Sequence, residues 1–154
     1  MEIAGLYIYS YLVGSVPTAY LMGRLVKGVD IRGYGSGNVG GANIFRHVGK
    51  GWVVPLFVSE VLIKGASPVW IGEYLLGWEQ SAALLIGAPL LAIAGNNWSI
   101  FLRFQGGRGI AVATGTLLGL SPFLMVAAIA IAVSGWAVTR SSGVWVLISL
   151  ALLP

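Results

Sequence analysis

Residues 110–138 read IAVATGTLLGLSPFLMVAAIAIAVSGWAV, and not one of them carries a charge. A run of that length exceeds the roughly 20 apolar residues that cross a bilayer core. Ser121-Pro122 interrupts it, so it is either one tilted helix or a half-helix followed by a full one. Working outward, uncharged or nearly uncharged runs recur at Ile3–Gly23, Trp52–Gly72 and Gln80–Leu102. After Arg140 a last apolar run reaches Pro154, too short to span comfortably, so the chain is expected to stop inside a helix.

The 154 residues are 57% hydrophobic and only 9% charged. Soluble domains carry about 25% charged residues, so a soluble globular fold is excluded. A mean hydropathy of +0.88 agrees. The expected architecture is all-α and polytopic, with four to five transmembrane helices and short half-helices at two glycine-rich loops. Residues 1–154 form one domain in this reading, C-terminally incomplete. Glu2 replaces the basic start of a signal peptide, so the first apolar run is retained as a helix.

The chemistry available is narrow. With no cysteine there is no thiolate nucleophile, disulfide or thiolate metal site. His47 is the only histidine and Asp30 the only aspartate, which excludes mechanisms needing two histidines or a Ser-His-Asp triad. Neither a cofactor nor a metal site is expected, since Asp30, Glu60, Glu73 and Glu79 do not cluster by spacing. The net charge of +4 is spread over loops, which argues against nucleic acid. Arg24, Lys27, Arg32, Arg46 and Lys50 follow the first run and Arg103 and Arg108 follow the third, placing both loops in the cytoplasm and the N-terminus outside. Trp52, Trp70, Trp78 and Trp98 suit interfacial belts.

The first loop reads Gly35-Ser36-Gly37-Asn38-Val39-Gly40-Gly41-Ala42-Asn43-Ile44-Phe45-Arg46. Its letters satisfy the dinucleotide pattern G-x-G-x-x-G, but a membrane helix precedes it where that pattern needs a strand. Two readings remain: a flexible turn, or an anion site in which glycine N–H groups converge on phosphate oxygens and a short helix starting near Asn43 adds its positive end. Arg46 would supply a fork for phosphate, and Ser36, Asn38 and Asn43 neutral hydrogen bonds. The second loop, Gly95 to Gly109, repeats the theme with Gly106, Gly107 and Gly109 around Arg108. It too reads either as a basic anchor with a turn or as a backbone nest. Two such loops on one face favour anion binding. Glu60 and Lys64, four apart within a span, are expected to pair with each other, and Gly115 and Gly119 to pack helices.

At these loops the chain resembles the bacterial membrane-integral glycerol-3-phosphate acyltransferases that use acyl-phosphate as donor. Their first motif is like Gly-Ser-Gly-Asn-x-Gly-Ala-Thr-Asn-x-x-Arg, which residues 35–46 match except at Gly41 and Ala42. Asp30-x-Arg32 and Lys64-Gly65 are also similar. The second motif, Gly-His, aromatics and Phe-x-Gly-Gly-Lys-Gly, is echoed from Gly95 to Gly109, with Asn96 in place of histidine and Arg108 in place of lysine. The family's C-terminal third motif is missing. The resemblance implies acyl transfer from acyl-phosphate to glycerol 3-phosphate at the bacterial cytoplasmic membrane, giving lysophosphatidic acid and phosphate in the first step of phospholipid synthesis. It implies Ser36, Arg46 and Arg108 as catalytic residues. Gly35, Gly37, Asn38, Gly40, Asn43, Asn96, Gly106, Gly107, Gly109 and Ser142 would bind the substrates, and the acyl tail would lie between helices, open to lipid. Nothing requires an oligomer. The alternatives are a truncated or divergent homologue that binds glycerol phosphate without turnover, or an anion carrier.

Overall fold

The structure is a computed structural model, and it describes residues 2–77 and 82–139. Ser142, Trp78 and Glu79 lie outside the described residues. The described chain is all helix and turn. It comprises α1 (Glu2–Ser15), α2 (Thr18–Lys27), α3 (Gly41–Asn43, continued by Ile44–Val48), α4 (Lys50–Leu75), α5 (Ala82–Asn97), α6 (Ile110–Leu120) and α7 (Pro122–Thr139).

The first apolar run is not one helix. Pro17 disfavours helical backbone at the preceding residue and brings no N–H of its own, so α1 ends at Ser15 and α2 begins at Thr18. Ser121 is extended (φ −166°) and Pro122 opens α7, so the half-helix alternative holds for residues 110–138. The third run is helical over Ala82–Asn97 and then tightens into a short 3-10 turn, Ile100–Leu102. Among the described residues, only α4 is long and apolar enough to cross a membrane unaided.

Small residues bring the helices together. A Cβ on Gly14 would fall on the Ala92 carbonyl and one on Gly95 on the Tyr11 carbonyl, so α1 and α5 touch backbone to backbone. In the same way Gly115 lies against the Val61 backbone and Gly65 against that of Val112, while Gly119 receives the Val69 side chain, so α6 crosses α4 closely. Ala66, Ala88, Ala92, Ala113 and Ala128 are buried, while Leu25 (84%) and Phe123 (78%) lead a broad set of exposed large apolar side chains. Small inside and large apolar outside is the pattern of a protein whose solvent is lipid, where association rests on close packing. Trp52, Trp70 and Trp98 lie toward helix ends and are exposed, as interfacial anchors are.

Two clusters fix the site. Leu6, Val69 and Ala88 join α1, α4 and α5. Ala19, Ile31, Ile44, Val48 and Leu56 join α2, α3 and α4 beneath the first glycine-rich loop and give that loop a floor.

Candidate functional site

The first loop is held in shape by its own side chains. Asp30 accepts from the Arg32 backbone N–H at 3.1 Å, from Arg32 Nε at 3.0 Å and from Arg32 Nη2 at 2.7 Å, and Arg24 Nη2 reaches it at 3.5 Å. The side-chain hydrogen bond from Arg32 is the largest cause that pulls the Asp30 carboxyl down to about 2. Arg32 also donates to Gln105 Oε1 at 3.5 Å, which links the first loop to the second. Asn43 is buried, and its Nδ2 donates to the carbonyls of Tyr34 and Asn38, both at 2.9 Å. Gly35 (φ +55°) lies so near that a Cβ there would stand 2.6 Å from Asn43 Oδ1 and 2.9 Å from His47 Nε2, so only glycine fits.

The second loop packs on the first. Gly107 donates its N–H to the Asn96 carbonyl at 2.9 Å, and a Cβ on Gly107 would come within 2.9 Å of the Val39 carbonyl of the first loop. Arg103 (φ 55°) and Phe104 (φ 61°) are two successive non-glycine residues in the left-handed region. Such backbone persists only where the surroundings over-determine it, and it gathers at functional sites. Composition carries no sign of it.

Between the loops lies a cavity of about 280 Å³. Asn38, Gly40 and Gly41 line it from the first loop, Asn96, Arg108 and Gly109 from the second, and Glu60 from α4. The remaining wall is apolar and includes Val53, Leu56, Phe57 and Ile110. One side can therefore hydrogen-bond an anion and the other can take a hydrocarbon chain. A small adjoining pocket is shared by Gly106, Gly107, Lys64, Ser99 and Thr18.

The expected residues divide three ways. Asn38, Gly40, Asn96, Arg108 and Gly109 meet at the cavity, with Gly106 and Gly107 behind Asn96. Gly35 and Asn43 hold the loop, and the Asn43 donors are spent on backbone. Ser36, Gly37 and Arg46 are exposed and do not line the cavity; Ser36 Oγ accepts from the Asn38 N–H at 3.4 Å. Neither Arg46 nor Arg108 makes an ion pair among the described residues, while Asp30 occupies Arg24 and Arg32. The His47 ring packs against Tyr34, tilted by 45° with centroids 5.6 Å apart.

The Glu60–Lys64 pair does more than its spacing predicts. The ion pair forms at 2.5 Å as the spacing predicts, but Glu60 also lines the cavity and Lys64 Nζ donates to Asn96 Oδ1 at 3.3 Å. Both residues lie where α4 widens into π-helical turns (Ser59–Ala66), a geometry common at functional sites. Pro68 brings no N–H to the ladder there, and the Ser67 hydroxyl takes up the Ile63 carbonyl at 2.5 Å. The available signal was the pairing of an intramembrane ionisable couple with a nearby proline.

A family described as glycerol-3-phosphate acyltransferase matches residues 4–154. The chain is 46% identical over 131 residues to a glycerol-3-phosphate acyltransferase of Desulforudis audaxviator, covering 85% of this chain and 64% of that protein. It is 42% identical over 117 residues to one of Gloeobacter violaceus, covering 75% and 57%. The chain thus spans about three-fifths of the length of these curated relatives. Its fold is similar to the crystal structure of PlsY, an integral membrane glycerol 3-phosphate acyltransferase, in the glycerol 3-phosphate form. The TM-score is 0.85 at 30% identity, over 97% of this chain and 72% of that one. The lysophosphatidic acid form gives 0.84 at 29%. The architecture is accordingly that of a polytopic all-α membrane protein.

Proposed function

The chain belongs to the glycerol-3-phosphate acyltransferase family, and from that premise we propose that it moves a fatty acyl group from acyl-phosphate to glycerol 3-phosphate, yielding lysophosphatidic acid and orthophosphate. The observation that supports this most is the cavity itself, where two glycine-rich loops and an unpaired arginine face an apolar wall. That is what a reaction between two phosphate-bearing molecules, one with a long tail, requires.

In this reading the first loop holds glycerol 3-phosphate. The Asn38 side-chain amide offers donors from the cavity wall beside Gly40, while Gly37, Ser36 and Arg46 close from the exposed side. The nest at Gly106, Gly107 and Gly109 with Arg108 holds the acyl-phosphate. The tail follows Val53, Leu56, Phe57 and Ile110 between α4 and α6 toward lipid. Ser142 is a further candidate ligand. The primary hydroxyl oxygen attacks the acyl carbonyl carbon. The bond from that carbon to the phosphate oxygen then breaks, and the hydroxyl proton passes to an oxygen of the departing phosphate. Acyl-phosphate already carries a good leaving group, so no protein nucleophile is needed. Positioning and stabilisation of the departing charge carry the rate. Residues 1–154 would lie within one domain in the bacterial inner membrane, with the N-terminus outside and both loops in the cytoplasm.

The test is lysophosphatidic acid formation by the detergent-purified chain given glycerol 3-phosphate and palmitoyl-phosphate, with orthophosphate release followed alongside and palmitoyl-CoA as donor in a parallel arm. Product is expected from palmitoyl-phosphate and not from palmitoyl-CoA. Arg108→Ala and Arg46→Ala should each lower kcat/KM by about 10²-fold or more, the scale of losing one donor to a developing oxyanion. Background release with retained glycerol 3-phosphate binding would instead make this chain a non-catalytic binder.

A further inference from the structure

Resting on the reading of the cavity given above, we infer that the buried Glu60–Lys64 pair is a positioning device for Asn96, holding its amide so that the NH₂ group is presented beside Gly107 as a donor to a substrate oxygen. Lys64 is 2% exposed although it ends in an ammonium. One N–H goes to Glu60 Oε1 at 2.5 Å and another to Asn96 Oδ1 at 3.3 Å. An ammonium has three donors and no lone pair, so the amide must turn its oxygen to Lys64. Its nitrogen then points the other way, and a Cβ on Gly107 would stand 2.9 Å from Asn96 Nδ2. Asn96 lines both the cavity and the pocket behind it, and Nδ2 donates to no acceptor among the described residues.

The main chain of Asn96 serves the same end. Its carbonyl accepts the Gly107 N–H at 2.9 Å and Gly106 lies directly against it, so one residue ties the α5 terminus to the nest around Arg108. Glu60 has a reason to be there as well. A lone buried ammonium would be costly, and a lone carboxylate on the cavity wall would repel phosphate. The pair is neutral overall and still delivers an oriented donor.

The device sets a rule for position 96: the side chain must accept from Lys64 at one end and donate to the cavity at the other. Asparagine does so, and so does a neutral histidine. Aspartate accepts only, and alanine does neither. Because Lys64→Met alone strands Glu60, the double variant E60Q/K64M removes the donor without leaving a buried charge.

The experiment compares the 154-residue chain with N96A, N96D, N96H, E60Q/K64M and E60Q/K64M/N96A, reading kcat and KM for orthophosphate release alongside thermal unfolding. N96H should stay within several-fold of the parent. N96A, N96D and E60Q/K64M should each lose about tenfold or more in kcat/KM, as for a hydrogen bond to a charged group. Adding N96A to E60Q/K64M should cost little further, because both remove one interaction. Multiplicative losses in the triple variant, or N96D as active as N96H, would overturn the inference. Should the parent release no orthophosphate, the acyltransferase reading fails by itself. The same variants are then compared by calorimetric binding of glycerol 3-phosphate, where the same ranking in Kd is expected and equal Kd in N96A and parent would overturn it.

Discussion

Asn43 gives both amide hydrogens to the loop that folds over it, to the Tyr34 and Asn38 carbonyls. Asn43→Ala removes both of these part-buried hydrogen bonds, although the two carbonyls keep the Gly37 and Gly40 N–H groups, so the cost is about 0.5–1.5 kcal/mol for each bond lost. A lowered Tm together with a raised KM for glycerol 3-phosphate is therefore expected, where loss of a directly bound ligand would raise KM with Tm unchanged. The sequence marked Asn43 as a hydrogen-bonding residue at the right loop, but backbone carbonyls are invisible in a string of letters. Its service to the loop could not be told from service to a substrate. Asp30 poses a test in pH. Arg32 lowers its carboxyl from an ordinary 3.8 to about 2, so the folded state favours the ionised form. Its stabilisation is thus fully present above pH 4 and drains away as pH falls from 3.8 through 2. The Tm gap between the parent and Asp30→Asn should be open at pH 7, narrow as pH falls below 3.8 and be nearly closed below pH 2; a gap undiminished at pH 2 would show that the carboxylate is not what holds the first loop.

The crossing of α4 and α6 is made by glycine. A Cβ on Gly115 would fall on the Val61 carbonyl, and the two residues directly follow Thr114 and Glu60, which line the cavity. Gly115→Val is expected to push the helices apart at about 1–3 kcal/mol or more, the usual range for overpacking. Gly5→Ala, where a Cβ meets nothing within 4 Å, should be nearly silent. Thermal unfolding in detergent separates them. Spacing made Gly115 and Gly119 legible as packing residues, since small residues one turn apart mark a helix face. The break of the first helix at Pro17 was less legible, because membrane helices tolerate proline when neighbours satisfy the freed carbonyls. The letters permitted a kinked helix as well as a broken one. The break matters for the site, since Thr18 and Ser15 face the pocket shared with Lys64. The wide turns of α4 were illegible for a related reason: a π-turn depends on how a whole helix seats against its neighbours, and local propensity hardly distinguishes it.

At the scale of the whole molecule, charge asymmetry and composition were the strongest signals, because a bilayer constrains every apolar segment at once. What they could not supply was distance: that the two basic loops meet follows from the Arg32–Gln105 hydrogen bond and the contact of Gly107 with the Val39 carbonyl. The meeting leads to a topological prediction. If both loops share one cavity, they share one side of the membrane, and α4, which leaves the first loop at Lys50, delivers Leu75 and Gly77 to the other. The chain has no cysteine, so a single introduced thiol reports without background. Ser36→Cys and Phe104→Cys, both at exposed positions, should react with a membrane-impermeant maleimide from the same side of sealed vesicles. Gly77→Cys should react only from the opposite side. Inverted vesicles should reverse all three, and the positive-inside rule assigns Ser36 and Phe104 to the cytoplasm. Labelling of positions 36 and 104 from opposite sides would dismantle the shared cavity, because no folding of α4, α5 and α6 in one bilayer could then bring Asn38 and Arg108 to a single substrate.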